Sequence, residues 1–163
     1  MKLIVTFCIV LFFAVLAALL LGFGREPHQP SFNVTQSQVN ANFVGSLLQH
    51  EMFVAQQDLK MFHALGGNVG DVTSTPISPE QYAAASAAAT NIIVTAKAWH
   101  PIVTPKYKTV AMTFSKVLVY SVMASQEVSR KADNWRMTAF WDLCLAVTQL
   151  NKLTKQQQAL GIS

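Results

Sequence analysis

Four histidines, two cysteines and eight carboxylates are the groups in this sequence that could ligate a metal, attack a carbonyl or move a proton. His50 and His63 fall in one helical stretch, but 13 residues between them is a turn of about 220°, so they face different ways. His28 lies among prolines and His100 directly precedes Pro101. Di-iron bundles need paired Glu-x-x-His, and no Glu here has His three residues later. Two thiols cannot make a four-thiolate site, and the Cys-x-x-Cys-His haem signature is absent. Met52 or Met61 with a His could ligate a non-covalent haem, a weak pairing among six methionines. The Gly-x-Ser-x-Gly, His-Glu-x-x-His and Gly-x-x-x-x-Gly-Lys-Ser/Thr patterns are missing too. Gly66-Gly67-Asn68-Val69-Gly70-Asp71 is glycine-rich but has neither the strand nor the lysine of a phosphate loop, and reads as a turn. The expectation is a chain with no catalytic residues, no metal and no cofactor.

Proline and glycine mark off the elements that would carry any site. A first helix is expected from about Ser37 to Leu65, stopped by Gly66-Gly67, with a loop to Ile77. Ser78, Pro79 and Gln81 make a cap, first-turn proline and capping box for a second helix ending near Trp99 or His100. Thr104-Pro105 opens a third, running to about Lys131, and Asp133 caps a fourth that fades into Gln156-Gln157-Gln158. No segment alternates with period two. The fold class predicted is all-α: an N-terminal transmembrane segment, then an antiparallel bundle of about four helices.

Angular position around each helix predicts what it buries. The third should bury Tyr107, Val110, Ala111, Phe114, Val117, Leu118 and Val128. The fourth should bury Phe140, Leu143, Cys144, Val147 and Leu150, with Asp142 and Gln149 pointing away; Cys144 then serves as a small hydrophobe. The second has small residues, Ala83 to Ala89, that would let a neighbour approach closely. The first helix is apolar twice over. Val44, Leu48, Met52, Ala55, Leu59 and Phe62 form the expected core stripe, yet Phe43, Leu47, Phe53, Val54, Met61 and Leu65 lie on the other side. Either the helix is central and covered on both sides, or the second set meets a partner. Phe43, Leu47, Phe53, Val54 and Met61 are therefore the candidate partner-binding residues.

The 163 residues are 52% hydrophobic and 12% charged, with a net charge of +4, which excludes a solvated disordered chain. Much of the hydrophobicity sits in Leu3–Leu21, 19 residues in which only Thr6 is polar. As a helix that run spans roughly 28 Å, close to the bilayer core of about 30 Å and longer than a usual signal-peptide core. The division expected is residues 1–24 as membrane anchor or uncleaved signal, 25–36 as tether and 37–163 as bundle. Gly22-Phe23-Gly24 offers a weak cleavage site, so a secreted form is the alternative. Lys2 on one flank, with Arg25 offset by Glu26 on the other, places the N-terminus in the cytoplasm and the bulk outside. Asn33-Val34-Thr35 is the only glycosylation sequon.

Residues 97–155 carry nine Lys or Arg against three acids. An extracytoplasmic location argues against nucleic acid as partner and favours anionic head groups or an acidic protein, unless this is simply a solvated face. The function expected is non-catalytic: a single-pass accessory or assembly subunit of a membrane complex, with the membrane and another subunit as partners. The alternative is a secreted or tethered bundle holding a small apolar ligand between its helices.

Overall fold

The structure, a computed structural model, describes residues 34–162. The expected anchor Leu3–Leu21, the possible cleavage site, Cys8 and most of the tether lie outside those residues. Five helices make up the described part: α1 (Gln36–Leu65), α2 (Val69–Ser74), α3 (Pro79–Ala98), α4 (Lys108–Arg130) and α5 (Trp135–Leu160). No strand occurs among the described residues, and the fold is all-α. No helix among them is long and apolar enough to cross a membrane.

Local chemistry sets most boundaries where they were expected. Thr35 caps α1 through a capping box with Gln38, and Ser78 caps α3 through the same device with Gln81. Gly66 ends α1 at φ 129°, a conformation closed to other residues, and its N–H donates to the His63 carbonyl. Three details differ. The loop after α1 contains α2, started by Asn68, whose side chain accepts from the Asp71 N–H at 2.9 Å. Thr104-Pro105 starts a 3-10 turn (Pro105–Tyr107) rather than α4 itself. Asn134, not Asp133, precedes α5, in a left-handed conformation with no side-chain cap.

The helices pack around a ring in the order α1, α3, α4, α5. Contacts are extensive between neighbours except at the closing seam, where α5 meets α1 only sparsely. Close packing elsewhere comes from small side chains: Ala85, Ala88 and Ala89 of α3, and Ser121, Ala124 and Ser125 of α4 against Ala139 and Ala146 of α5, are all buried. The core has two parts. One gathers Phe43, Leu47, Val54, Trp99, Tyr107, Val110, Phe114, Val117 and Leu153. The other gathers Met61, Leu65, the α3 alanines, Ile92, Ala124, Val128, Ala139, Phe140 and Leu143. Buried Asp58 and Ser121 lie in sequence between the two on α1 and α4.

All seven positions expected to be buried on the third helix are buried, Tyr107 in the 3-10 turn and the other six in α4. On α1 the two stripes exchange roles. Phe43, Leu47, Val54, Met61 and Leu65 are buried in the chain's own core, while Met52 and Leu59 are 62% and 56% exposed. On α5 Asp142 is buried and Val147 exposed, the reverse of expectation. The reason is the same in both helices. Each packs one face against α3 or α4, α1 on both the aromatic and the alanine-rich parts of the core, and leaves its second apolar face at the open seam.

Candidate functional site

Those two leftover faces meet across a groove of about 540 Å³. From α1 it is lined by Ala55, Asp58, Leu59 and Phe62, and from α5 by Leu143, Cys144, Val147 and Leu150. Asp58 and Leu143 are buried, whereas Leu59 and Val147 are exposed; Ala55, Phe62, Cys144 and Leu150 fall between. Phe62 is held in place by stacking on Phe140, ring centroids 5.1 Å apart. The size lies in the range of small-ligand pockets, and seven of its eight lining residues are apolar or a thiol.

Asp58 is the exception, and its environment is unusual for a carboxylate. Only 3% of it is exposed. The Ser121 hydroxyl donates to Oδ2 at 2.7 Å, while Oδ1 is buried without a hydrogen-bond partner. Burial pushes its pKa up to about 7, and the Ser121 hydrogen bond offsets only part of that rise. Around neutral pH the group is poised between an acid that can donate a hydrogen bond and an anion that attracts a cation. An unsatisfied buried oxygen costs on the order of 1–3 kcal/mol, so a ligand that satisfied it would recover that energy.

Cys144 shares the groove, and burial raises its thiol pKa. That shift keeps it protonated, which is poor preparation for a nucleophile. His50 is committed to its own helix, its Nδ1 lying 2.8 Å from the Ser46 carbonyl oxygen, and its ring packs on Trp99. No group of three or more His, Cys, Asp or Glu residues that could hold a metal occurs among the described residues. The arrangement can bind and can exchange a proton at Asp58.

Of the five candidate partner-binding residues, Phe43, Leu47, Val54 and Met61 are core residues, and their burial leaves no surface for a partner in this fold. Phe53 alone is exposed, at 38%, and does not line the α1–α5 groove. The stripe assigned to the core supplies the groove instead, through Ala55, Leu59 and Phe62. Asp58 itself was overlooked, although a signal existed. Its neighbours three and four residues away on both sides are Val54, Ala55, Met61 and Phe62, so its side chain emerges from an apolar surface.

The chain matches no protein-family model, and neither curated proteins nor solved structures give a match.

Proposed function

We propose that this protein is a non-catalytic helical bundle that holds a small amphiphile in the α1–α5 groove. The ligand class is an apolar body with one hydrogen-bond-donating or cationic head. The observation that carries this reading is Asp58, a buried carboxyl lining an otherwise apolar groove, with its Oδ1 lacking a hydrogen-bond partner. A purely apolar ligand would leave that oxygen unsatisfied, and an anionic head would meet a group that ionises near neutrality. The location proposed with it is extracytoplasmic, with Leu3–Leu21 as anchor and Lys2 on the cytoplasmic side.

The experiment uses the single thiol in the groove as reporter. In the full chain carrying Cys8→Ser, alkylation of Cys144 is followed by mass in the presence of decylamine, decanol or decanoate. Saturable protection by decylamine and decanol, much weaker protection by decanoate, and loss of protection in Ala55→Phe are expected. Equal protection by all three, or protection that survives Ala55→Phe, would indicate partitioning without a site and reject the proposal.

A second reading keeps the accessory-subunit expectation. The exposed Leu59 and Val147, with Met52 one turn before Ala55 on α1, favour an apolar helix of a partner subunit as occupant. Under that reading Cys144 is protected in the intact membrane complex and becomes reactive when the subunits are separated, with no dependence on added amphiphile.

A further inference from the structure

The half of the bundle away from the alanine-rich core carries a second feature, independent of the groove. Residues 34–54, 97–118 and 150–162 hold six lysines, all exposed, and a single acid. That acid, Glu51, is half-buried and accepts a hydrogen bond from the Gln157 amide, and its burial raises its pKa. The remaining described residues hold four basic and six acidic groups. The molecule is therefore charged unevenly along its length, with the positive charge at the aromatic end.

At that end the α3–α4 connection exposes apolar side chains among the lysines. Ile102 is 77% exposed and Val103 36%, on a segment bounded by Lys97, Lys106 and Lys108, all of them exposed. The segment is not loosely attached. Trp99 and Tyr107 on either side are buried against Phe43, and the Thr104 hydroxyl donates to the Asn40 amide oxygen at 2.8 Å. A fixed loop that presents an isoleucine and a valine to solvent, with lysines on either side in sequence, costs solubility and gains nothing for the monomer's core. The hydrogen bond to Asn40 also puts this loop beside the first turns of α1, where the chain enters the described fold from the apolar sequence preceding it.

We propose that this end is a docking surface for an anionic lipid bilayer, with Ile102 and Val103 entering the head-group boundary and Lys97, Lys106 and Lys108 meeting lipid phosphates. Lysine suits the role because its long apolar stem can lie along the bilayer surface while its ammonium reaches the phosphate plane. An acidic protein surface would answer the charge equally well but would give the exposed isoleucine nothing to enter. The bilayer satisfies both observations at once.

The test uses the full chain with Cys8→Ser and Cys144→Ser, carrying a fluorophore on Val103→Cys or, at the opposite end, on Val69→Cys. Each is mixed with or reconstituted into vesicles of phosphatidylcholine alone or with phosphatidylglycerol, containing a lipid-borne quencher. Because the N-terminal sequence joins the fold at the start of α1, beside this loop, attachment through it alone favours 103 over 69; the dependence of the excess on lipid charge, salt and the lysine substitutions, which a tether lacks, is what marks docking. Expected are at least severalfold stronger quenching at 103 than at 69 in anionic vesicles, loss of that excess in neutral vesicles or at about 0.5 M salt, and its reduction by Ile102→Asp and by Lys106→Glu with Lys108→Glu. Equal quenching of the two labels would overturn the docking surface. Excess quenching at 103 that ignores lipid charge, salt and the lysine substitutions would overturn the anionic-lipid assignment.

Discussion

The two ends of this bundle solve the same packing problem by opposite means. At the aromatic end the space between helices is filled with rings: Phe114 packs edge-on against Trp99, centroids 4.8 Å apart, and Phe43 stacks on Tyr107 at 5.3 Å. At the other end the α3 alanines and Ala124 and Ala139 let helices close on one another beside the larger Met61, Leu65, Ile92, Phe140 and Leu143. That end is also tied by polar bonds. Arg136 donates to the carbonyls of Leu65 at 2.6 Å and Thr75 at 2.5 Å, fastening the end of α1 and the α2 region to α5. The ring-filled end should therefore fail where volume is removed, and the alanine contacts of the other end where volume is added.

The largest effect is expected where volume is removed from the ring-filled end. Phe114 is fully buried, and Phe114→Ala should cost about 3–5 kcal/mol in denaturant titrations. At the other end an alanine scan passes over the α3 alanines, Ala124 and Ala139, which are alanine already. There the damaging change is enlargement: Ala88→Leu should cost about 1–3 kcal/mol, or more if α1 and α4 cannot move apart. If Ala88→Leu were neutral or stabilising, the close approach of α3 to its neighbours would be wrong.

Asp58 and Ser121 separate the two ends, and a test there has a definite sign. The folded-state pKa of Asp58 lies near 7, above its ordinary value of 3.8. Below about pH 3.8 both folded and unfolded chains hold the proton, and nothing is lost. Between there and pH 7 the unfolded chain ionises while the folded one does not, so stability falls as pH rises. Above pH 7 the loss is complete, up to about 4 kcal/mol for a shift of this size. Burial raises the pKa values of Glu51 and Asp142 as well, the latter helped by Glu127, and they act in the same direction. Asp58→Asn should therefore raise stability at pH 8, leave it nearly unchanged at pH 3.5, and flatten part of the decline between. A variant whose pH profile parallels that of the native chain would mean that Asp58 is ionised normally in the fold.

Much of this architecture was legible from residue order, because caps, prolines and glycines act locally. Ser78, Pro79 and Gln81 specify the start of α3 with no knowledge of its neighbours, and the single apolar stripe of α4 leaves one way to bury it. The groove was not legible, for a reason specific to α1 and α5. Periodicity reports that a face is apolar but not what lies opposite it. With two apolar faces on α1, nothing local decides which one meets the alanines of α3. Met61 and Leu65 pack with the alanines of α3, while Phe43 and Leu47 pack with Trp99, Tyr107 and Phe114, and neither set of partners is visible from α1 alone. On α5 angular position relative to the Phe140–Leu150 stripe points Asp142 to solvent, although Ala139 and Ala146 flank it on the helix face that packs against α4. α2 was missed because six residues are too few for a periodic signal.

The exchange of stripes on α1 leads to the smallest expected effect. Leu47 and Leu59 are the same residue type on one helix, 12 positions apart and both in regular α-helical backbone. Leu47 is fully buried, and Leu47→Ala should cost about 2–5 kcal/mol. Leu59 stands at the mouth of the groove with more than half its surface exposed, so Leu59→Ala should change stability by no more than about 0.5 kcal/mol. Helix propensity does not confuse the comparison, since both substitutions replace leucine with alanine in a helix interior. The variant that hardly alters the melt should still weaken decylamine protection of Cys144, because Leu59 supplies part of the groove wall. A large stability loss from Leu59→Ala would mean that the seam between α1 and α5 is closed in solution and that Leu59 belongs to the core after all.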